Sequence, residues 1–441
     1  MGKSASERAQ SGLRDPLRRP AFRRLALSYA LNELGDWLGI IALSVLVFEQ
    51  TGSAMATAAL FLGTGFLPAL LTPITVARLE RPPARFVLPT IYAVEAGAFG
   101  ALALLASHFS LAAVVAVATV DGALALTART LTRAVSAAML ESEGELRAGN
   151  AILNVAFTGG AALGPAIAGV VVAALDVQSA LLLNALSFYL IACILLTARP
   201  LPQPEPEGEA GLGERVRAGL GYIRRNPYLR RLISAQTAAI VFFSAVVPIE
   251  VIYAKETLGA GDTGYGLMLG SWGAGMLVGS VVFATLRRAP LPALLLFSSL
   301  AIGAGYLGMA AAPTLAVACV ASAAGGAGNG VQWVAVVSAV QELTTTTMQA
   351  RVMGTLESTT SAAPGLGYVL GGAIASTWSP RATFLVAGAG VMAIVLASAL
   401  LLGRNWPLEQ GKERPRSVDA ADELMVELIP AEPLPSLDRR S

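Results

Sequence analysis

From Pro20 the chain reads P-A-F-R-R-L and enters a long apolar stretch; from Pro227 it reads P-Y-L-R-R-L and does so again. A second, weaker pair falls at the same offset. R-A-G-N-A-I-L…G-P-A-I-A-G over 147–169 returns as R-V-M-G-T-L-E…P-G-L-G-Y-V-L-G-G over 351–372. Both offsets are about 205 residues, a period far longer than that of a solenoid repeat. Each copy is long enough for about six membrane crossings. Two parallel copies of an apolar unit are the pattern of a carrier that rocks one half against the other.

Composition narrows the class further. The 441 residues are 55% hydrophobic and 14% charged, with a mean hydropathy of +0.64, outside the range of soluble domains. A net charge of +2 without a basic patch argues against a nucleic-acid partner. Cys193 and Cys319 both lie in apolar runs, so no disulfide or metal framework is expected. The first 25 residues are polar and basic with no small-residue cleavage site, so the first apolar stretch is expected to direct insertion.

Apolar stretches of about 20 residues, enough to cross about 30 Å of hydrocarbon, fall at 26–47, 54–77, 86–106, 111–131, 146–175, 179–198, 229–254, 264–286, 291–311, 314–341, 352–377 and 381–403. The expectation is therefore an all-α integral membrane protein of twelve transmembrane helices, in two six-helix halves related by a pseudo-two-fold. Its domains are a basic N-terminal segment 1–25, a first half 26–198, a linker 199–228, a second half 229–403 and a tail 404–441. With the N-terminus placed inside, 29 of the 31 basic residues fall on the cytoplasmic side and only Lys255 and Arg381 outside. That asymmetry, which an odd number of crossings would destroy, places both termini in the cytoplasm. The linker opens with a solvated P-Q-P-E-P-E-G-E tract. Over 213–226 it then sets Val216, Leu220 and Ile223 on one helical face against Arg215, Arg217, Arg224 and Arg225, the pattern of a helix lying on the membrane surface. The acidic, proline-bearing tail is expected to be disordered.

Charges inside the crossings are the sharpest chemical signal. A buried charge costs about 2.5–3.5 kcal/mol on insertion scales, so one that persists faces protein or water. The first crossing holds N-E-L-G-D, with Asn32 and Asp36 four residues apart on one face and Glu33 at its border. The fourth brings Asp121 to mid-depth from the opposite direction, followed on the same stripe by Arg129 and Arg133. A carboxylate that exchanges protons at neutral pH needs its pKa moved from about 4 toward 7, which desolvation and like-charge crowding can supply. Asp36, Asp121 and Glu33 are the candidate proton-coupling residues; the alternative is that Asp121 and Arg129 only neutralise partners on neighbouring helices. Asn32 and Glu95, the latter one turn from Tyr92 in the third crossing, are candidates for cargo contact. The second half lacks this acidity around the equivalent Ile240–Ser244. In the tenth crossing it offers Asn329, Gln332 and Trp333 beside G-G-A-G-N-G, for hydrogen bonds and stacking with cargo or for helix packing.

Glycine placement speaks of motion. The fifth crossing reads G-A-A-L-G-P-A-I-A-G from Gly160 to Gly169, with Gly164 and Pro165 between. The eighth carries Gly266 and Gly270, then Gly275 and Gly279. Small residues at four-residue spacing let helix backbones approach closely, and proline bends its helix.

The run T-A-R-T-L-T-R-A-V…E-L-R-A-G-N-A-I-L-N…G-A-A-L-G-P-A-I-A-G, within two six-helix halves, resembles the major facilitator superfamily, and within it the proton-coupled exporters of the macrolide-efflux and enterobactin-exporter type. The resemblance covers about 20–403. It implies a central cavity lined by crossings 1, 4, 7 and 10, holding Asp36, Asp121 and Trp333. It also makes Gly160–Gly169 similar to the antiporter signature and Arg129 to the family's fourth-crossing arginine. Between crossings 2 and 3 the chain departs from the pattern with V-A-R-L-E-R-P-P-A-R: Val76 replaces the glycine and Glu80 the aspartate, while Arg81 is kept. Glu80 and Arg81 are expected at a cytoplasmic latch, and Glu357 in the eleventh crossing as a partner for a basic gate residue.

His108, the only histidine, lies in a short loop and reads as a surface residue. No phosphate-binding loop, metal-ligand cluster or nucleophile–base set occurs, so neither an enzyme nor an ATP-driven pump is expected, and no cofactor or metal. The expectation is a monomeric exporter in a bacterial inner membrane. It would exchange protons for a small amphipathic or aromatic molecule, such as a drug, a macrolide-like compound or a siderophore. An uptake symporter, a lipid flippase and a non-transporting membrane sensor are the alternatives.

Overall fold

Pro20 and Pro227 each occupy the first turn of a helix, where a missing N–H costs nothing. In the second copy Asn226 adds a side-chain cap, accepting from the N–H groups of Tyr228 and Leu229. The repeated hexapeptide is therefore a repeated helix start. The computed structural model describes residues 15–79, 82–140, 145–198, 201–202, 212–285, 289–345 and 348–402, and among these every regular element is helical.

The first half comprises α1 Pro20–Thr51; α2 in three pieces, Ala54–Phe61, a π-helical turn Leu62–Phe66 and Leu67–Leu79; α3 Ala84–Ser107; α4 Leu111–Leu140; α5 Leu146–Leu175; and α6 Val177–Leu196. A connector helix, Leu212–Arg225, follows. The second half comprises α7 Pro227–Thr257, α8 Gly261–Thr285, α9 Leu291–Ala311, α10 Leu315–Glu342, α11 Gln349–Thr377 and α12 Pro380–Leu402. Helix α1 starts six residues before the apolar stretch because Arg23 and Arg24 interrupt hydropathy but not the helix. Among the described residues ten helices are long and apolar enough to cross a membrane. The other two long helices, α10 and α11, are diluted by the Gly325–Gln332 run and by the Ser, Thr and Gly of 354–372.

The two halves repeat one packing scheme. In the first, α1 packs on α5 and α6, α2 on α4, and α3 on α4 and α6. In the second, α7 packs on α11, α8 on α10 and α9 on α10. Gly390 of α12 meets Phe242 of α7, and Gly388 of α12 meets Gly303 of α9. Displacing every index by six converts one list into the other, which is the pseudo-two-fold. Even the turns match: Gly52 after α1 and Gly259 after α7 adopt positive φ, 59° and 62°, where a side chain would strain the backbone.

Across the halves, α5 meets α8 and α2 meets α11. Let the near end be where α1 begins, and the far end where α1 and α7 finish. The α5–α8 seam runs from the far end to mid-depth through Gly169 against Gly266, Ala166 against Gly270 and Ala161 against Gly273. The other seam sets Met55 and Ala58 against Gly372, then Phe61 against Tyr368 at 5.7 Å, then Phe66 against Gly365. At the near end each half is tied to itself. Arg19 pairs with Glu145 at 3.0 Å and Arg24 donates to the Thr197 carbonyl, while Asn226 donates to the Leu343 carbonyl at 3.3 Å. The connector belongs to this second group: Ile223 is buried with Leu229, Val340 and Leu356, while Arg217, Leu220, Arg224 and Arg225 are exposed. The side chains of Arg215 and Val216 lie outside the described residues.

The α8 glycines divide their work. Gly266, Gly270 and Gly273 face α5 across the halves, whereas Gly275 and Gly279 face Ala323 and Ala327 of α10 within one half. The five-residue step between Gly270 and Gly275 turns the second pair to another side of the helix. Pro165 cannot donate to the Ala161 carbonyl one turn back, and that freed carbonyl is turned toward Gly273.

Candidate functional site

Arg129 reaches from α4 to two acids on α1. Its Nη2 donates to Glu33 Oε2 at 3.2 Å and to Asp36 Oδ2 at 3.0 Å. Its Nε lies 3.1 Å from Glu33 Oε1, an ion-pair contact without hydrogen-bond geometry. Asn32 Nδ2 donates to Asp36 Oδ2 at 3.1 Å, using the shared helical face that a four-residue spacing provides. Phe157 of α5 places its ring 5.6 Å from the Arg129 guanidinium carbon. The side chain of Glu33 is 3% exposed, against 25% for Asp36 and 28% for Arg129, so this ion cluster opens to its surroundings on the Asp36 side.

The backbone of α5 makes this packing possible. A Cβ on Gly160 would lie 2.8 Å from Cβ of Glu33, and one on Gly164 would lie 2.6 Å from Trp37. Five residues further on, Gly169 faces Gly266 of the other half. One motif therefore seats α5 against the ion cluster and also forms the seam between halves; Pro165 lies between these roles.

One turn below Arg129, Arg133 donates to the Tyr29 hydroxyl at 2.9 Å and to Asn154 Oδ1 at 3.5 Å, with the Tyr29 ring 5.6 Å from its guanidinium carbon. Asp121 and Glu95 lie apart from both arginines' hydrogen bonds. Glu95 is fully buried at the middle of α3, and among the described residues neither of its oxygens is hydrogen-bonded, nor is the buried Oδ1 of Asp121 on α4. Sequence reasoning allowed Asp121 to be neutralised by a partner helix; among the described residues it has no such partner.

Several expected cargo contacts are placed differently. Asn32 and Glu95 are fully buried, committed to Asp36 and to the α3 core respectively, so neither is presented to cargo in this conformation. Gln332 is also buried. It donates to Ser299 Oγ at 3.0 Å and to Gln236 Oε1 at 3.3 Å, stitching α10 to α9 and α7. Asn329 approaches Met276 Sδ of α8 at 3.8 Å, and Trp333 remains 45% exposed. Glu80 and Arg81 lie outside the described residues, as does the Glu357 side chain.

Sequence reading missed Tyr29, Trp37, Asn154, Phe157 and Asn184. Tyr29 was recoverable, standing one turn before Glu33 on the same face. The second half holds an enclosed acid of its own, beyond the Ile240–Ser244 stretch. Glu250 is buried in α7 just after a break at Val247–Ile249, where Pro248 interrupts the helix, and it has no ion-pair partner among the described residues.

At the far end Lys255 of α7 joins Glu49 of α1 at 2.6 Å and Asp262 of α8 at 2.8 Å, so one ammonium clamps the halves together. Glu49 is 47% exposed, which limits what the clamp contributes. Lys255→Gln is expected to raise the far-end-open population by up to about fivefold, the equivalent of about 1 kcal/mol. Maleimide labelling of Ala58→Cys, buried against Gly372 while the far end is closed, in a background with Cys193 and Cys319 replaced by serine, reads that opening.

The comparisons with known proteins agree with this architecture. The family described as transmembrane secretion effector matches residues 11–427. An uncharacterized MFS-type transporter, YfiS of Bacillus subtilis strain 168, is 25% identical over 427 residues, covering 88% of this chain and 96% of YfiS. Among solved structures the nucleoside transporter NupG superposes with a TM-score of 0.72 at 11% identity, covering 87% of this chain and all of NupG. The human organic anion transporter MFSD10 gives 0.58 at 19% identity, covering 86% and 99%. Identities this low carry the fold alone. The family match is what assigns membership: this chain belongs to the transmembrane secretion effector family of the major facilitator superfamily, and is a multi-pass membrane transporter of that fold.

Proposed function

We propose that the protein is a proton-coupled exporter of a small amphipathic or aromatic molecule, working by alternating access in a bacterial inner membrane with both termini cytoplasmic. The observation that carries this reading is the Arg129 cluster. It holds two acids halfway along α1 on one cation, closed at Glu33 and open at Asp36, beside an unpaired Asp121. Such a cluster offers an exchange: a proton arriving at Asp36 weakens its hold on Arg129, and a departing proton restores it. Because α5 touches both Glu33 and the far-end seam, a change in the cluster has a mechanical route to the contacts between halves. The secretion description of the family supports export over uptake. With the near end cytoplasmic, the closed far-end seams correspond to a state open toward the cytoplasm, ready to load cargo.

Asp36→Asn and Asp121→Asn test this in inverted membrane vesicles energised by a proton gradient, with ethidium and other fluorescent aromatic cations as probes. Each is expected to lower gradient-driven accumulation at least about tenfold, as loss of a proton-transfer group does elsewhere. Undiminished accumulation in both variants would remove the site assignment. Accumulation only in right-side-out vesicles would reverse the direction.

A further inference from the structure

Glu95 and Asp121 form a second acidic station that the Arg129 cluster does not use. They project from adjacent, packed helices, α3 and α4. Among the described residues neither Glu95 oxygen, nor Asp121 Oδ1, has a hydrogen-bond partner, and Glu95 is fully buried. The titratable and charged groups facing them are Asp36 from α1, Tyr92 from α3 and Arg129 from α4. Arg129 is already engaged by Glu33 and Asp36, and Asp36 repels. From α6 comes Asn184, fully buried against Gly39, where it meets Phe99, the residue one turn after Glu95 on α3; its Nδ2 has no partner among the described residues.

A carboxylate as enclosed as Glu95, with a second acid on the neighbouring helix and no cation of its own among the described residues, cannot keep its charge while the other keeps its own. We infer that Glu95 and Asp121 together carry at least one proton at neutral pH in this conformation, so that a proton is stored between α3 and α4, apart from the acids that Arg129 holds. Glu95 is then part of the coupling machinery and not a cargo contact. The inference deepens the proton-coupled reading above, but its test needs no cargo and no transport, so the two fail separately.

Infrared difference spectroscopy of the full-length protein in phosphatidylethanolamine–phosphatidylglycerol liposomes reads the carbonyl stretch of a protonated carboxyl directly. At neutral pH the wild type is expected to show this band in the apolar range, and Asp36→Asn is expected to keep it. The Glu95→Gln/Asp121→Asn double variant is expected to lose that component. Glu250→Gln and Glu33→Gln, run in parallel, identify the contributions of the other two buried acids. If the double variant does not fold, each single variant is expected to shift or weaken the band. Absence of the band from the wild type, its loss in Asp36→Asn alone, or its survival unchanged in the Glu95 and Asp121 variants would overturn the inference.

Discussion

Arg129→Gln is expected to abolish gradient-driven transport and to destabilise the first half by about 3–5 kcal/mol, the usual penalty for removing one partner of a buried ion pair. The size follows from the exposures. Glu33 is almost wholly enclosed and cannot exchange its lost cation for water, so it must either take up a proton or displace Gly160 and α5. Asp36 retains Asn32 as a donor and a path to its surroundings, and suffers less. The triple variant Glu33→Gln/Asp36→Asn/Arg129→Gln is therefore expected to recover most of the lost stability, because neutral amides need no counter-charge, while remaining inactive in transport. Arg129→Lys is expected to fall between, since one ammonium cannot reproduce a fork that serves both acids through Nη2 while Nε lies against Glu33. Thermal unfolding in detergent, followed by thiol-dye reaction with half-buried Cys193 and Cys319, measures stability separately from vesicle transport. A triple variant no more stable than Arg129→Gln would show that Arg129 matters for reasons other than charge balance.

How far the site was legible in the sequence depends on the distance over which its contacts act. The Asn32–Asp36 hydrogen bond follows from a four-residue spacing on one helix, and the repeated helix starts at Pro20 and Pro227 follow from local rules for proline. The order of crossings and the two halves follow from hydropathy and an internal repeat. The pairing of Arg129 with α1 is different in kind. It requires α4 and α1 to pack side by side, a tertiary fact that periodicity along α4 cannot contain. Gln332 shows the converse: a polar residue at mid-depth looks available for cargo until Ser299 and Gln236, from two other helices, are seen to occupy it. Glu250 was hidden because Pro248 and a 3₁₀ turn break α7 beside it, so its burial depends on a kink rather than on a position along a straight helix. The glycines were visible as a stripe, but which helix each one faces was not. On α8 a step of five residues decides whether a glycine serves the seam between halves or the packing inside one.

That distinction makes Gly169→Val the most informative change at the seam. A Cβ at this position would lie 2.7 Å from Cα of Gly266 and 2.8 Å from the carbonyl oxygen of Asp262, both backbone atoms that cannot rotate away. The conflict exists only while the far end is closed. Overpacking of this kind costs about 1–3 kcal/mol, which shifts a two-state equilibrium about 5- to 150-fold. Gly169→Val is therefore expected to drive the far end open, speeding maleimide labelling of the buried Ala58→Cys by that factor and slowing transport, since the carrier no longer returns easily to the closed seam. Gly159→Ala on the same helix has nothing within 4 Å of the added carbon and is expected to be silent. Gly164→Val also crowds α5, but against Trp37 within the first half. It is expected to lower stability without opening the far end. The three variants share a helix and nearly the same chemistry, so a labelling increase confined to Gly169→Val ties the effect to the α5–α8 seam. An equal increase in Gly164→Val would mean instead that α5 transmits any local crowding along its length, and that the seam is not where the two conformations are decided.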